Sequence, residues 1–207
     1  MLSEYKGFHC QHRSDDFPTL AAIIAPHKPQ IVVELGTDEG GFSAWLADLV
    51  APWGGKVWTF DREVKFDPAL LDGRFPNLAF KQGDVLDLRA GGHYVAGLIS
   101  TPAPTLIYCD NGNKVREIEL YAPLLRVGSL LATHDYTRAE RGEVPAAWAE
   151  PFVAALGYAP EGHDRMEALA NEWYPEPMTR FWTRLALASS ASPTPPVLPP
   201  KTKGRAP

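Results

Sequence analysis

The sequence predicts an α/β domain with a doubly wound, mostly parallel seven-stranded sheet and an antiparallel C-terminal strand. Three observations carry this. Short β-branched, apolar runs alternate with helical stretches five times, as strands covered on both faces by crossover helices require. Each run closes on an acidic or polar residue. The first run enters its helix through Gly36 and Gly40-Gly41, and glycines there let the backbone lie close to a ligand.

The elements follow in order. Residues 1–17 read as a polar, irregular arm. His9, Cys10 and His12 are close enough to suggest a metal, but a mobile arm or lid is the simpler reading. Asp16 before Phe17-Pro18 marks a helix start, and Pro26 and Pro29 end that helix. The key strand begins near Gln30 and carries the β-branched run Ile31 to Val33. After the glycines, Phe42, Trp45, Leu46 and Leu49 recur at helical spacing until Pro52-Trp53-Gly54-Gly55. Lys56 to Asp61 is the second strand, and Asp67-Pro68 opens a helix ending at Asp72-Gly73. Leu78 to Val85 holds the third strand and its exit turn. Gly92 to Ser100 is a short helix stopped by Pro102 and Pro104. Thr105 to Asp110 is the fourth strand, followed by a helix from about Lys114 to Arg126. Gly128 to Tyr136 is the fifth strand, and Glu143 to Leu156 is a further helix. Met166 to Tyr174 and Thr179 to Leu187 are two late strands, joined as an antiparallel pair by Pro175-Glu176-Pro177. The folded domain is expected over 18–188. From residue 189 the chain turns to Ser, Pro and Lys, a composition that predicts a disordered tail.

With 207 residues, 45% of them hydrophobic, the chain can bury one sizeable core but not two. A net charge of -5 argues against a general nucleic-acid binder. Cys10 and Cys109 have no paired spacing, so neither a disulfide framework nor a cysteine-rich zinc site is expected. The first sixteen residues lack an apolar signal region, and no run approaches the ~20 residues of a bilayer span. The expectation is a cytoplasmic protein that handles a small molecule, without nucleic acid or membrane. A homo-oligomer is left open.

Glu34, Asp61, Asp84, Asp110 and Asp135 all fall at or near strand carboxyl ends. Like charges gathered along one edge are costly unless a ligand, a metal or hydrogen-bond donors compensate them. Asp61, about twenty residues past the glycine turn, suits both hydroxyls of a ribose. Asp84 suits an adenine amino group, with the Val85 N–H on a ring nitrogen. Each has a plainer reading as a cap or turn acid. His134 is a candidate base because its reference pKa lies near neutrality. In a regular strand His134 and Asp135 face opposite sides, so both enter the site only if the strand twists or ends there. Lys114 reads as a surface helix residue or a substrate anchor.

These motifs resemble the class I S-adenosylmethionine (SAM)-dependent methyltransferases over roughly residues 18–187. The resemblance rests on Glu34-Leu35-Gly36-Thr37-Asp38-Glu39-Gly40, Phe60-Asp61, Gln82-Gly83-Asp84-Val85 and Tyr108-Cys109-Asp110. It implies a Rossmann-like fold and a SAM-binding set of Glu34, Gly36, Thr37, Gly40, Asp61, Arg62, Asp84, Val85 and Asp110. Among subfamilies the chain looks most like small-molecule O-methyltransferases of the catechol, macrocin and cephalosporin-pathway type. That likeness implies Mg2+ held by Asp110 and Asp135, and a catalytic set of Asp110, His134 and Asp135. Either the metal lowers the pKa of the acceptor hydroxyl or His134 takes its proton. Asp135 departs from the pattern, because His134 and Tyr136 stand where a carboxylate or amide neighbour is usual. A nicotinamide-dependent oxidoreductase would share the glycine turn and Asp61 but wants G-x-G-x-x-G. A non-catalytic SAM-binding protein is the other alternative. The acceptor pocket is expected from the arm, the loop after His134 and the region of Trp173-Tyr174.

Overall fold

The structure is a computed structural model and describes residues 3–138, 142–169 and 178–186. The chain begins with a hairpin, β1 (Ser3–Tyr5) and β2 (Phe8–Cys10), followed by α1 (Phe17–Ile24). Alternating units follow: β3 (Ile31–Leu35), α2 (Gly41–Val50), β4 (Lys56–Asp61), α3 (Pro68–Arg74), β5 (Leu78–Gln82), α4 (Gly91–Ile99), β6 (Thr105–Cys109), α5 (Lys114–Tyr121) and β7 (Leu130–His134). Two short strands, β8 (Tyr136–Thr137) and β9 (Val144–Pro145), precede α6 (Ala146–Ala155), β10 (Tyr158–Glu161), α7 (His163–Glu167) and β11 (Thr179–Arg184).

The main sheet has seven strands in the order β10-β11-β7-β6-β3-β4-β5. β3 to β7 pair in parallel, and β11 runs antiparallel to both β7 and β10. The chain winds outward from β3 through β4 to β5, then crosses back to β6 on the other side of β3. That reversal is the topological switch point, where the exit loops of β3 and β6 part and leave a crevice.

Strand alternation divides the core into two layers. Val32, Leu106, Tyr108, Leu130 and Phe181 face α1, α2 and α3. Val33, Ile107, Cys109, Leu131 and Trp182 face α4, α5 and α6. Both faces are apolar because helices cover both, which is why the strands read as continuous hydrophobic runs.

Three expectations are corrected. The arm is not irregular: Lys6 (φ 49) and Gly7 (φ 86) form a tight turn, and Phe8 and Cys10 are buried against α2. Met166 lies in α7 rather than in a strand, because its side chain buries into the α1–α2 layer at helical spacing. β11 therefore pairs with β10, which follows the expected helix cap at Gly157 and for which no strand is expected. Residues 170–177, with Trp173 and Tyr174, and the tail from 187 lie outside the described residues. Smaller differences concern helix ends. Pro123 turns the end of α5 into a 3-10 turn, and α6 starts at Ala146 because Val144 and Pro145 pair with Tyr136 and Thr137.

Gly36 fixes the crevice. Its φ is +102, and a Cβ added there would sit 2.4 Å from the Asp110 carbonyl oxygen. Gly54 also has positive φ (+75) but faces open space. Gly36→Ala is expected to cost about 2–4 kcal/mol of unfolding free energy, from strain plus overpacking. Gly54→Ala should cost about 1 kcal/mol, from backbone strain alone. Urea denaturation of the two variants checks the difference.

Candidate active site

The turn after β3 is held shut by backbone and by Asp61. The Gly36 N–H donates to the Phe60 carbonyl at 2.8 Å. Asp61 Oδ2 accepts from the Asp38 N–H at 3.0 Å, and its Oδ1 accepts from the Glu63 N–H at 3.0 Å. The Thr37 and Thr59 hydroxyls meet at 2.6 Å. Gly40, in the left-handed region at φ +85, then starts α2. Of these groups, Gly36, Thr37, Asp38, Asp61 and Glu63 border a cavity of about 280 Å³. Its walls include Glu34, Gly36, Thr37, Asp61, Arg62 and Asp110, together with His9 to His12 from the arm.

Glu34 lies on the same strand face as Val32, against α2, where the Ser43 hydroxyl donates to it. Burial pushes its pKa up to about 8, against the hydrogen bonds from Ser43 and Thr59 that favour the carboxylate. Asp84 and Val85 lie off the cavity wall. Asp84 Oδ1 accepts from the Leu86 N–H at 2.9 Å, and the buried Val85 carbonyl accepts from the Tyr121 hydroxyl. Gly83, just before them, donates its N–H to the Asp61 carbonyl at 2.8 Å, which sets Asp84 one strand further along the same rim.

Beyond Asp110 is a cluster of charges. Asn113 caps α5, accepting from the Arg116 N–H at 3.2 Å, so Lys114 opens the helix. Lys114 Nζ lies 3.5 Å from Asp110 Oδ1, 2.8 Å from Asp135 Oδ2 and 2.7 Å from Glu143 Oε2. Its side chain is only 5% exposed, so this is an interior charge and not a surface one. His134 Nδ1 is 3.5 Å from Asp110 Oδ1 and 3.2 Å from Asp135 Oδ1. β7 ends at His134, and Asp135 takes a left-handed backbone (φ 54). That turn brings both side chains toward Asp110, where a regular strand would separate them.

Electrostatics settles their protonation. Burial opposes the charge on His134, but Asp110 and Asp135 outweigh it and push its pKa up to about 10. Burial likewise opposes the Lys114 ammonium, and Asp110, Asp135 and Glu143 hold it well above the usual amine range. Asp135 is kept well below the usual carboxylate range, because His134 and Lys114 outweigh its desolvation. At neutral pH the cluster holds two cations among three carboxylates.

His12 comes from the arm. Its ring stacks on Phe42 at 3.8 Å, its Nε2 meets the Tyr108 hydroxyl at 2.9 Å, and it lies 3.6 Å from Asp110 Oδ2. Burial, helped by the nearby His134 charge, lowers its pKa to about 3, so it is neutral. The hairpin seats directly on α2: a Cβ on Gly41 would sit 2.3 Å from the His9 carbonyl oxygen.

Comparison with known proteins identifies the fold. Solved structures that share the fold include CmcI described with Mg and SAM, at a TM-score of 0.59 and 18% identity over 89% of this chain and 77% of that one. A SAM-dependent O-methyltransferase from Thermotoga maritima follows at 0.52 and 12%, over 86% of this chain and 68% of that one. The fold is that of the class I SAM-dependent methyltransferases. Among curated proteins, the rhamnosyl O-methyltransferases of Mycobacterium tuberculosis and Mycobacterium bovis are 24% identical over 164 residues, or 76% of this chain. The chain spans 66% of the length of those relatives. No protein-family model matches it.

In methyltransferase terms the cavity sits at the switch point, with the glycine turn on one side and Asp110 on the other. A bound Mg2+ would need oxygen ligands. Here the oxygens of Asp110 and Asp135 already face Lys114, His134 and His12. Among the described residues, ligand atoms of His12, Asp110 and His134 lie within 4.8 Å of one another, but two imidazoles and one carboxylate suit a softer metal than Mg2+. The donor set does not fit Mg2+ with Lys114 in place. Sequence reading undervalued Lys114 and His12. The available signal for Lys114 was a lysine directly after an Asn cap, where a helix dipole disfavours positive charge.

The buried groups also set a pH dependence. Burial raises Glu34 and Glu117 to about 8, and the neighbouring carboxylates raise His134 to about 10, so the fold keeps protons that the unfolded chain has lost. Between pH 6.5 and 8 the native state binds more protons, so stability falls as pH rises. His12, lowered to about 3, works in the opposite direction, because the unfolded imidazole still binds part of a proton near pH 6.5, but this one opposing group fades toward pH 8 and is outnumbered by the other three. Melting temperature should decline across this window, and Glu34→Gln should make the decline shallower. A slope as steep as wild type in that variant would remove Glu34 from the account.

Proposed function

We propose that the chain transfers a methyl group from SAM to an oxygen of a small-molecule acceptor in the cytoplasm. The observation that carries this is the shared cavity. The glycine turn, Glu34, Asp61 and Asp110 all border it, at the switch point of a methyltransferase fold. No described helix is long and apolar enough to cross a membrane. The name of the mycobacterial relatives puts a deoxysugar hydroxyl first among acceptors to test.

When bound, SAM supplies an electrophilic methyl group on a cationic sulfonium. The chain's residues have the remaining tasks. In this reading Asp61 binds the ribose hydroxyls, using lone pairs left over from its two backbone bonds. Gly36 and Thr37 let the cofactor lie against the turn, Arg62 borders its path, and Gly40, off the cavity wall, sets the turn into α2. Asp84 and Val85 lie off the cavity wall, one strand further along the rim, and would meet the adenine edge only if the cofactor extends past Asp61. Asp110 places a carboxylate beside the sulfonium, and Glu34, which keeps its proton at neutral pH, offers a polar wall to the same cavity. Holding the acceptor oxygen in line with the methyl group can account for ~7–11 kcal/mol in favourable intramolecular cases.

The acceptor's proton needs a receiver. His134 holds its own proton at neutral pH, which moves it from base to hydrogen-bond donor. Asp110 reaches both the cavity and the cluster, so it is assigned to receive the hydrogen bond of the acceptor hydroxyl. Lys114 and His134 hold Asp110 in place, and Asp135 holds those two cations. In the metal-assisted version of this reading, Asp110 and Asp135 would carry Mg2+ and Lys114 would have to withdraw.

Calorimetry with SAM tests the cofactor half. Asp61→Ala should weaken binding at least tenfold with the far-ultraviolet circular dichroism unchanged; equal affinity would end the ribose assignment. For the chemical half, Asp110→Asn should cut turnover of a sugar acceptor by about 10²-fold or more while SAM still binds. Turnover at the wild-type rate would exclude Asp110 from proton handling.

A further inference from the structure

Lys114 occupies a position that ordinary helix chemistry disfavours. It opens α5, at the positive end of the helix dipole, and its ammonium is buried. A lysine is among the residues least often buried unless it is paired. Three carboxylates from three segments converge on it: Asp110 after β6, Asp135 after β7 and Glu143 before β9. The two that end adjacent parallel strands are the pair that would clasp a divalent ion.

We propose that the Lys114 ammonium is the resident cation of this site, standing where a divalent metal would bridge Asp110 and Asp135. The geometry is specific. Nζ reaches one oxygen of each aspartate, at 3.5 and 2.8 Å, and so joins the two strand ends as a bridging ion would. Glu143 supplies a third anionic contact at 2.7 Å and ties the chain between β8 and β9 to the same point. The remaining aspartate oxygens face imidazoles: Asp110 Oδ2 faces His12 at 3.6 Å, and Asp135 Oδ1 faces His134 at 3.2 Å. Every oxygen of the pair thus already faces a cation or an imidazole, and a hydrated Mg2+, which keeps several waters and needs near-octahedral room, would have to displace one of them.

Two consequences follow. The site holds its carboxylates together with a charge encoded in the chain, so it does not depend on metal supply. Lys114 is then a positioning residue. Its ammonium pairs with all three carboxylates, and it acts on substrate only through Asp110. This rests on the proposed function for the meaning of Asp110, while the cation's place is measurable without turnover.

The test titrates Mn2+ into the full chain and reads free Mn2+ by electron paramagnetic resonance, with Mg2+ as competitor. Wild type should show no saturable site at millimolar metal. Lys114→Met should gain one Mn2+ per chain, and Lys114→Met/Asp135→Asn should lose it again. Lys114→Arg, which keeps the charge, should behave as wild type. A stoichiometric Mn2+ site in wild type, or a folded Lys114→Met protein without one, would overturn the proposal. If Lys114→Met does not fold, the wild-type titration still decides. SAM calorimetry in chelator runs alongside: wild type should bind equally with and without it, and metal-dependent binding would also count against the proposal. Absence of SAM binding under every condition would sink the functional reading, and the metal result would still stand.

Discussion

Two carboxylates end neighbouring parallel strands, and the positive charges between them allow those ends to lie together. Asp110 and Asp135 would repel each other across the rim. Lys114 and His134 convert that repulsion into a bonded cluster whose members cannot be moved singly. Removing one partner leaves an uncompensated interior charge. The cluster therefore fixes the first turn of α5, the end of β7 and the chain before β9 in one arrangement. It also presents Asp110 to the cavity in a single orientation.

The other side of the cavity is built without charge pairing. Gly36 lets β3 turn within contact of the Asp110 carbonyl, and Asp61 reaches across from β4 to clamp the same turn. Each strand end thus supports its neighbour. The arm closes the remaining side through packing, with His12 on Phe42 and Phe42 on Trp45 as stacked rings. A neutral His12 suits this role, since it inserts a polar ring beside the cavity without adding charge to a crowded rim.

Legibility in the sequence followed the range of the interactions. The parallel strands were readable because burial on both faces leaves continuous apolar runs, and the acids were readable because strand ends are marked by the turns that follow. The reversed β11 was expected, but its partner was not. β10 is four residues long and contains Pro160, so neither length nor alternation marks it as a strand. The hairpin of the arm escaped for a similar reason: its apolar content is Phe8 and Cys10, and their burial depends on Gly41, far away in sequence.

By itself the sequence determined the α/β class, the glycine turn after the first core strand and the row of acids along one rim. All three arise from local pattern: period, turn chemistry and position within a repeat. Only the tertiary structure decided what neutralises those acids. Lys114 looks like any helix lysine until Asp135 and Glu143 arrive from later segments, and His134 looks like a base until two carboxylates lock its proton in place. Charge state depends on three-dimensional neighbours and on burial, which the order of residues does not contain.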